Sequence, residues 1–237
     1  MASDGKCIVI SQPWGGLGDN LQFTTLPELY SKLGYKVYIS SRNACRNPEM
    51  YDLVWKLNPF VSGVSDLPPN AGECKSCRNE TMNYMKNLEL AHGLTDGCSE
   101  YPIIYYKPNL IPDLSNALIY DVTSISTNPS DESIRASFNS VFAKYPELNI
   151  KKITFANIKN RDSDYFNHEK YVINSIFDLC DVIYSCKVFL ALHAGAAVLA
   201  SAIKQDNATP ELYVFHPSYI RAPLYIFKNG IYKTYLD

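Results

Sequence analysis

Residues 13–30 read PWGGLGDNLQFTTLPELY, and they follow the apolar run CIVIS of residues 7–11. Three glycines (Gly15, Gly16, Gly18) fall within four positions, and an acid, Asp19, comes next. Glycine loses more backbone freedom on folding than any other residue. A cluster of it therefore points to positive φ angles or to a second molecule approaching the main chain closely. A buried strand, a glycine loop and then a helical pattern make the start of a β-α-β unit. In a parallel sheet, the ligand crevice lies at the carboxyl ends of the strands, which is where this loop sits. The spacing matches neither GxGxxG nor GK[ST], which argues against a dehydrogenase or an NTPase.

Pro27 decides how the first helix is built, because a proline inside a helix loses a hydrogen bond and clashes one turn back. The easier arrangement is a short turn after Asp19, with a second helix restarting so that Thr25 lies near its cap and Pro27 in its first turn, ending near Leu33; a continuous helix with a kink is the alternative. Gly34 stops it, and a strand runs through Ser40. Residues 47–57 have helical spacing, and 61–66 read as a short strand. Residues 67–109 form an irregular insert with one helix near 82–91 and a strand candidate, YPIIYYKPN, at 101–109.

The alternation restarts at 117–126 with a strand, then a helix at 130–145 capped by Ser130 with Asp131 and Glu132 in its first turn. A strand at 151–158, a helix at 167–186, a strand at 187–192, a small-residue helix at 193–203 and a last strand at 211–217 follow. Such alternation predicts an α/β fold of parallel sheets with helices on both faces, in two similar halves. The domains are expected at 1–112, with the insert 67–109, and at 113–237.

At 237 residues the chain can bury a substantial core, and a net charge of −2 gives no electrostatic case for nucleic acid or an anionic membrane surface. With no signal peptide and no bilayer-length apolar stretch, a cytoplasmic protein is expected. Seven cysteines, with Cys7, Cys180 and Cys186 in apolar or helical settings, fit buried thiols in a reducing compartment.

GGLGDNLQFTTLPELYSKLGYKVYIS resembles the opening of the heptosyltransferase-like proteins, glycosyltransferase family 9. These begin with a strand, a small-residue loop, a Gly-Asp pair and a Thr-Pro or Leu-Pro step before a helix and second strand. Here the pair is Gly18–Asp19 and the step is TTLPEL, Thr24 to Leu29. The segment LCDVIYSCKVFLALHAGAAVLASAI is similar to that family's nucleotide-binding turn, here His193–Ala194–Gly195. The turn differs from the family in continuing to Ala196, Ala197 and Val198.

The resemblance implies a GT-B-like architecture: two Rossmann-like parallel-sheet domains facing across a cleft, the first for the acceptor and the second for the nucleotide-sugar. It implies an inverting, metal-independent transfer with no cofactor beyond the nucleotide-sugar co-substrate. Asp19 is then the general base. Gly16, Gly18, His193, Ala194, Gly195 and Arg221 are the candidate nucleotide-sugar contacts. The acceptor is a glycan or glycolipid, which allows peripheral membrane contact, and no nucleic-acid partner is expected.

Each residue also has a plainer reading. Asp19 can be a helix cap, stabilising by about 1 kcal/mol. His193 can be a satisfied core histidine, the small residues of 194–203 can serve close helix–sheet packing, and Arg221 can be a surface ion pair. Cys74 and Cys77, with His92 and Cys98 downstream, could make a tetrahedral zinc site stapling the insert, although the second spacing is loose. Asp162 and Asp164 read as a polar loop. A catalytically inactive nucleotide-sugar or glycan-binding module is the alternative function.

Overall fold

A computed structural model of the chain describes residues 6–43, 45–72, 83–94, 99–123, 129–156, 165–204, 210–218 and 226–236. The chain divides into two compact units. The first comprises Met1–Tyr106 with Ala222–Phe227, the second Lys107–Arg221 with Lys228–Asp237.

The first unit holds β1 (Cys7–Ser11), α1 (Leu17–Leu21), α2 (Leu26–Lys32), β2 (Lys36–Ser40), α3 (Pro48–Tyr51), β3 (Val61–Ser65), β4 (Ala71–Gly72) and α4 (Tyr84–Ala91); α3 runs into a π-helical turn at Asp52–Lys56. Its sheet has the order β3-β2-β1-β4 with every pair parallel. Because β1 lies inside the sheet, Val9 and Ile10 are buried. The chain direction of the connections reverses between β1 and β4, so the loop after β1 opens at the switch point where such sheets bind ligands.

The second unit contains β5 (Ala117–Asp121), α5 (Asp131–Phe142), β6 (Asn149–Phe155), β7 (Glu169–Ile173), α6 (Ile176–Ser185), β8 (Val188–Leu192), α7 (Gly195–Ile203), β9 (Glu211–His216) and β10 (Ile231–Thr234). All its pairings are parallel, in the order β10-β9-β8-β5-β6-β7, which is the doubly wound Rossmann arrangement. The switch point lies between β5 and β8. Ile134, Phe138 and Val141, spaced along one face of α5, pack on Leu118 and Tyr120 of β5, Leu190 and Leu192 of β8, and Tyr213 and Phe215 of β9. Each such side chain contributes about 1.5–3 kcal/mol by leaving water.

The predicted alternation of strands and helices holds, with three departures. Residues 167–186 are a strand followed by a helix: β7 pairs with β6 from Lys151↔Glu169 to Phe155↔Ile173, and Ser175 then caps α6 by accepting from Asp178 N at 3.0 Å. Tyr171, Val172 and Ile173 fit a pleated surface better than a helix, and a serine cap before Ile176 marks the true helix start.

Residues 101–109 are not a strand. Pro102 and Pro108 remove two amide donors, and neighbouring amides go to side chains, Ile103 N to Thr24 Oγ1 at 3.0 Å and Asn109 N to Asp181 Oδ1 at 2.9 Å. Two further strands do not stand out in the sequence, β4 because it has only two residues and the edge strand β10 because its four are largely exposed.

Cys180 and Cys186 are buried free thiols, pushed well up by burial, while Cys7 and Cys45 are half-buried. No helix among the described residues is long and apolar enough to cross a membrane.

Candidate functional site

The loop after β1 is held by side chains rather than by left-handed backbone. Positive φ occurs at Gly34, Gly63 and Gly93, whereas Gly16 has φ −76° and ψ 152°, open to any residue. What Gly16 provides is space: a Cβ there would run into the carboxylate of Asp19, which folds back over it. Asp19 lies in the first turn of α1, half-buried, in the position from which an acid reaches back toward the N-cap. The second molecule that the glycine cluster suggested is, at Gly16, a side chain of the same loop.

Asn20, the next residue, organises the loop. Its Nδ2 donates to Gly16 O at 3.0 Å and Trp14 O at 3.3 Å, and its Oδ1 accepts from Asn43 Nδ2 at 3.1 Å. Trp55 Nε1 also donates to that oxygen, at 2.9 Å, from the π-helical turn. Gln12 N donates to Asn43 Oδ1 at 2.8 Å, Arg46 N donates to Gly15 O at 3.1 Å, and Trp14 N donates to Gln12 Oε1. The sequence reading passed over Asn20. The only local signal was a polar residue where the helical pattern called for an apolar one.

The TTLP step is architectural. Thr24 Oγ1 donates to Leu21 O at 2.7 Å, closing the end of α1, and accepts from Ile103 N at 3.0 Å. Thr25 is the N-cap residue of α2 but makes no cap bond; its hydroxyl donates instead to Glu89 Oε1 at 2.8 Å. Glu89 is 1 % exposed, and burial raises its carboxyl above the usual range despite bonds from Ser99 and Thr25.

In the second unit, the switch point is flanked by Asp121 at the end of β5 and by the turn His193–Ala194–Gly195 after β8. Asp121 is 1 % exposed and accepts from Thr123 N at 2.8 Å and Thr123 Oγ1 at 2.6 Å. Burial lifts its carboxyl to about 6, against those bonds and the charge of Lys152. His193 is half-buried, its backbone N donating to Phe215 O at 2.8 Å, and its ring meets the edge of His216 at 6.5 Å. Ala194 is the N-cap of α7 and supplies no side-chain cap bond, so the first amides of this nine-residue helix have none from that residue. His216, also at a strand's carboxyl end, is buried with Nδ1 3.0 Å from Pro217 O.

Gly16, Gly18 and Asp19 thus share one loop of the first unit, and His193, Ala194 and Gly195 one turn of the second. Arg221, Cys74, Cys77, Cys98, Asp162 and Asp164 lie outside the described residues. His92 packs its ring against Tyr30, whose hydroxyl lies 2.6 Å from His92 Nδ1. Among the described residues no three His, Cys, Asp or Glu side chains gather as a metal site.

No family model and no curated protein matches the chain in sequence. Solved structures do match its fold. The bacterial iron-containing dodecameric glycosyltransferase TibC of enterotoxigenic E. coli is 13 % identical with a TM-score of 0.61; the match covers 90 % of this chain and 58 % of TibC. The chain thus spans less than two thirds of that relative. A glycosyl transferase family 9 protein of Veillonella parvula matches with 9 % identity and a TM-score of 0.61, covering 99 % of this chain and 86 % of that one. The E. coli heptosyltransferase WaaC, in complex with ADP-2-deoxy-2-fluoro heptose, matches with 10 % identity and a TM-score of 0.56, over 96 % of this chain and 92 % of its own. The chain has the α/β, GT-B-like fold of these glycosyltransferases.

Proposed function

We propose that this protein is a glycosyltransferase that moves a sugar from a nucleotide-sugar to a glycan or glycolipid acceptor, with inversion and without a metal. The first domain (1–112) takes the acceptor and the second (113–237) the donor. The observation that carries the reading is Asp19. Its carboxylate is held over Gly16 at a sheet switch point, in a fold shared with heptosyltransferases, one of which has been captured with an ADP-heptose analogue.

In the proposed reaction the acceptor hydroxyl oxygen attacks the anomeric carbon and its proton passes to Asp19. The bond from that carbon to the phosphate oxygen breaks, and its electron pair leaves with the nucleoside diphosphate. The amides that open α7 at Gly195, with His193 and Arg221, stabilise the departing charge. Gly16 and Gly18 complete the donor contacts from the first domain.

The test is Asp19→Asn with a panel of nucleotide-sugars. Turnover should vanish, while stabilisation by one nucleotide among ADP, UDP, GDP and CMP persists in a thermal-shift assay; full activity in the variant rules Asp19 out as the base. A second reading, a binding module without turnover, draws on Ala196, Ala197 and Val198. These are buried and apolar, so the first turn of α7 brings no polar side chain to a donor. Nucleotide-sugar binding with no transfer to any acceptor favours that reading.

A further inference from the structure

The chain has two tryptophans. Trp55 is wholly buried, while Trp14, in the loop after β1, is 49 % exposed. An exposed indole on a loose loop would mean little, but this loop is fastened on every side. Trp14 N donates to Gln12 Oε1, Trp14 O accepts from Asn20 Nδ2 at 3.3 Å, and Gly15 O accepts from Arg46 N at 3.1 Å. Pro13, just before it, fixes its own φ. The result is a large apolar plate on a rigid support, a form in which an aromatic residue loses little conformational freedom when a ligand arrives.

A second observation comes from the base of the same loop. Gln12 is 0 % exposed, and with its oxygen committed to Trp14, its Nε2 has no hydrogen-bond partner. Buried donors almost always find acceptors, so a lone one two residues from an exposed aromatic ring calls for an explanation. An oxygen-rich ligand seated on the loop, reached by a small shift of the amide, would supply the missing acceptor.

We infer that Trp14 is the platform on which the acceptor's sugar ring stacks, making the turn at residues 12–14 a carbohydrate-recognition element. This rests on the reading of the first domain as the acceptor side. A pyranose has an apolar face of C–H groups and an edge of hydroxyls, matching an indole face beside amide donors. Trp14 and Gly16 are two residues apart, a span of at most about 7 Å. A saccharide spanning that distance can stack on the indole and present a hydroxyl to the carboxylate above Gly16. Trp14 sets which sugar is presented and Asp19 acts on its hydroxyl.

The two tryptophans allow a direct test. Trp55 is shielded, so iodide quenching of the native protein's fluorescence reports Trp14. A glycan array identifies which saccharides are retained, and those saccharides are then titrated against quenching. The expected result is that a retained saccharide protects Trp14 from iodide, that Trp14→Ala weakens its binding by about tenfold or more, and that Trp14→Phe keeps most of it. Nucleoside diphosphate binding should be unchanged in both variants.

Retention of no glycan, equal retention by Trp14→Ala, unaltered quenching at saturation, or protection by a nucleotide alone each overturns the inference. Turnover is scored separately. Saccharide protection without transfer retains the platform and removes the transferase, and transfer that ignores Trp14→Ala does the reverse.

Discussion

The indole N–H of Trp55 donates to Oδ1 of Asn20 at 2.9 Å, and both side chains are fully buried. This bond ties the π-helical turn to the loop carrying Asp19, so the candidate base is positioned by a residue far from it in sequence. Asn20→Ala leaves the buried Trp55 donor without its acceptor and two part-buried backbone carbonyls with fewer partners. The expected loss is about 2–4 kcal/mol of stability, read from urea unfolding. An unchanged midpoint would show that water replaces these bonds and that the loop does not depend on them.

Gly16 gives a sharper test because its backbone suits any residue. Gly16→Ala should force the Asp19 carboxylate out of place and abolish activity with a stability change of only about 1 kcal/mol. In an Asp19→Ala background the same substitution meets no carboxylate and should be neutral or slightly stabilising. A double-mutant cycle measures the difference; simple additivity would mean that the two residues do not interact.

Asp121 makes a pH-dependent contribution. Burial raises its carboxyl from 3.8 to about 6, so in that window the folded state keeps a proton the unfolded chain has lost. The folded state binds more protons there, and its stability falls as pH rises. Asp121→Asn is neutral and keeps an oxygen for the two Thr123 donors. The wild type should therefore lose about 3 kcal/mol relative to the variant between about pH 4 and pH 7. Denaturation curves that stay parallel across that range would contradict the assignment.

The segment before β5 is held through Ser185, whose Oγ accepts from Ile111 N at 2.7 Å and donates to Asp181 O at 2.6 Å. Ser185→Ala leaves the Ile111 amide without that acceptor, at an expected cost of about 1–2 kcal/mol. Hydrogen exchange at Ile111 should accelerate while the amides of β8 keep their protection. Unchanged exchange at Ile111 would mean that another group takes over the bond.

Local chemistry made much of the fold legible. Pro27 sits most easily in the first turn of a helix, so a break between α1 and α2 was the easier reading and a kinked helix the alternative, and the structure has the break; Ser130 announced α5 by its cap. Strand β7 was hidden because its five residues adjoin a strongly amphipathic helix, and a run of apolar positions does not say where one period yields to another.

The site divides along the same line. Local patterns were enough to read the parallel α/β alternation and to mark out Gly16, Gly18, Asp19 and the His193–Gly195 turn as candidates, because strand-loop-helix junctions are local and their glycines and caps follow short-range sterics. It took the folded chain to reveal that Gly16 makes room for Asp19, that Asn20 is fixed by Trp55, that Thr25 serves Glu89 rather than its own helix, and that Asp121 is buried with a raised carboxyl. The Asn20–Trp55 and Thr25–Glu89 bonds join residues distant in the chain, the Asp121 shift follows the loss of water around it, and the Gly16–Asp19 approach depends on how the folded loop is held, none of which a single stretch encodes.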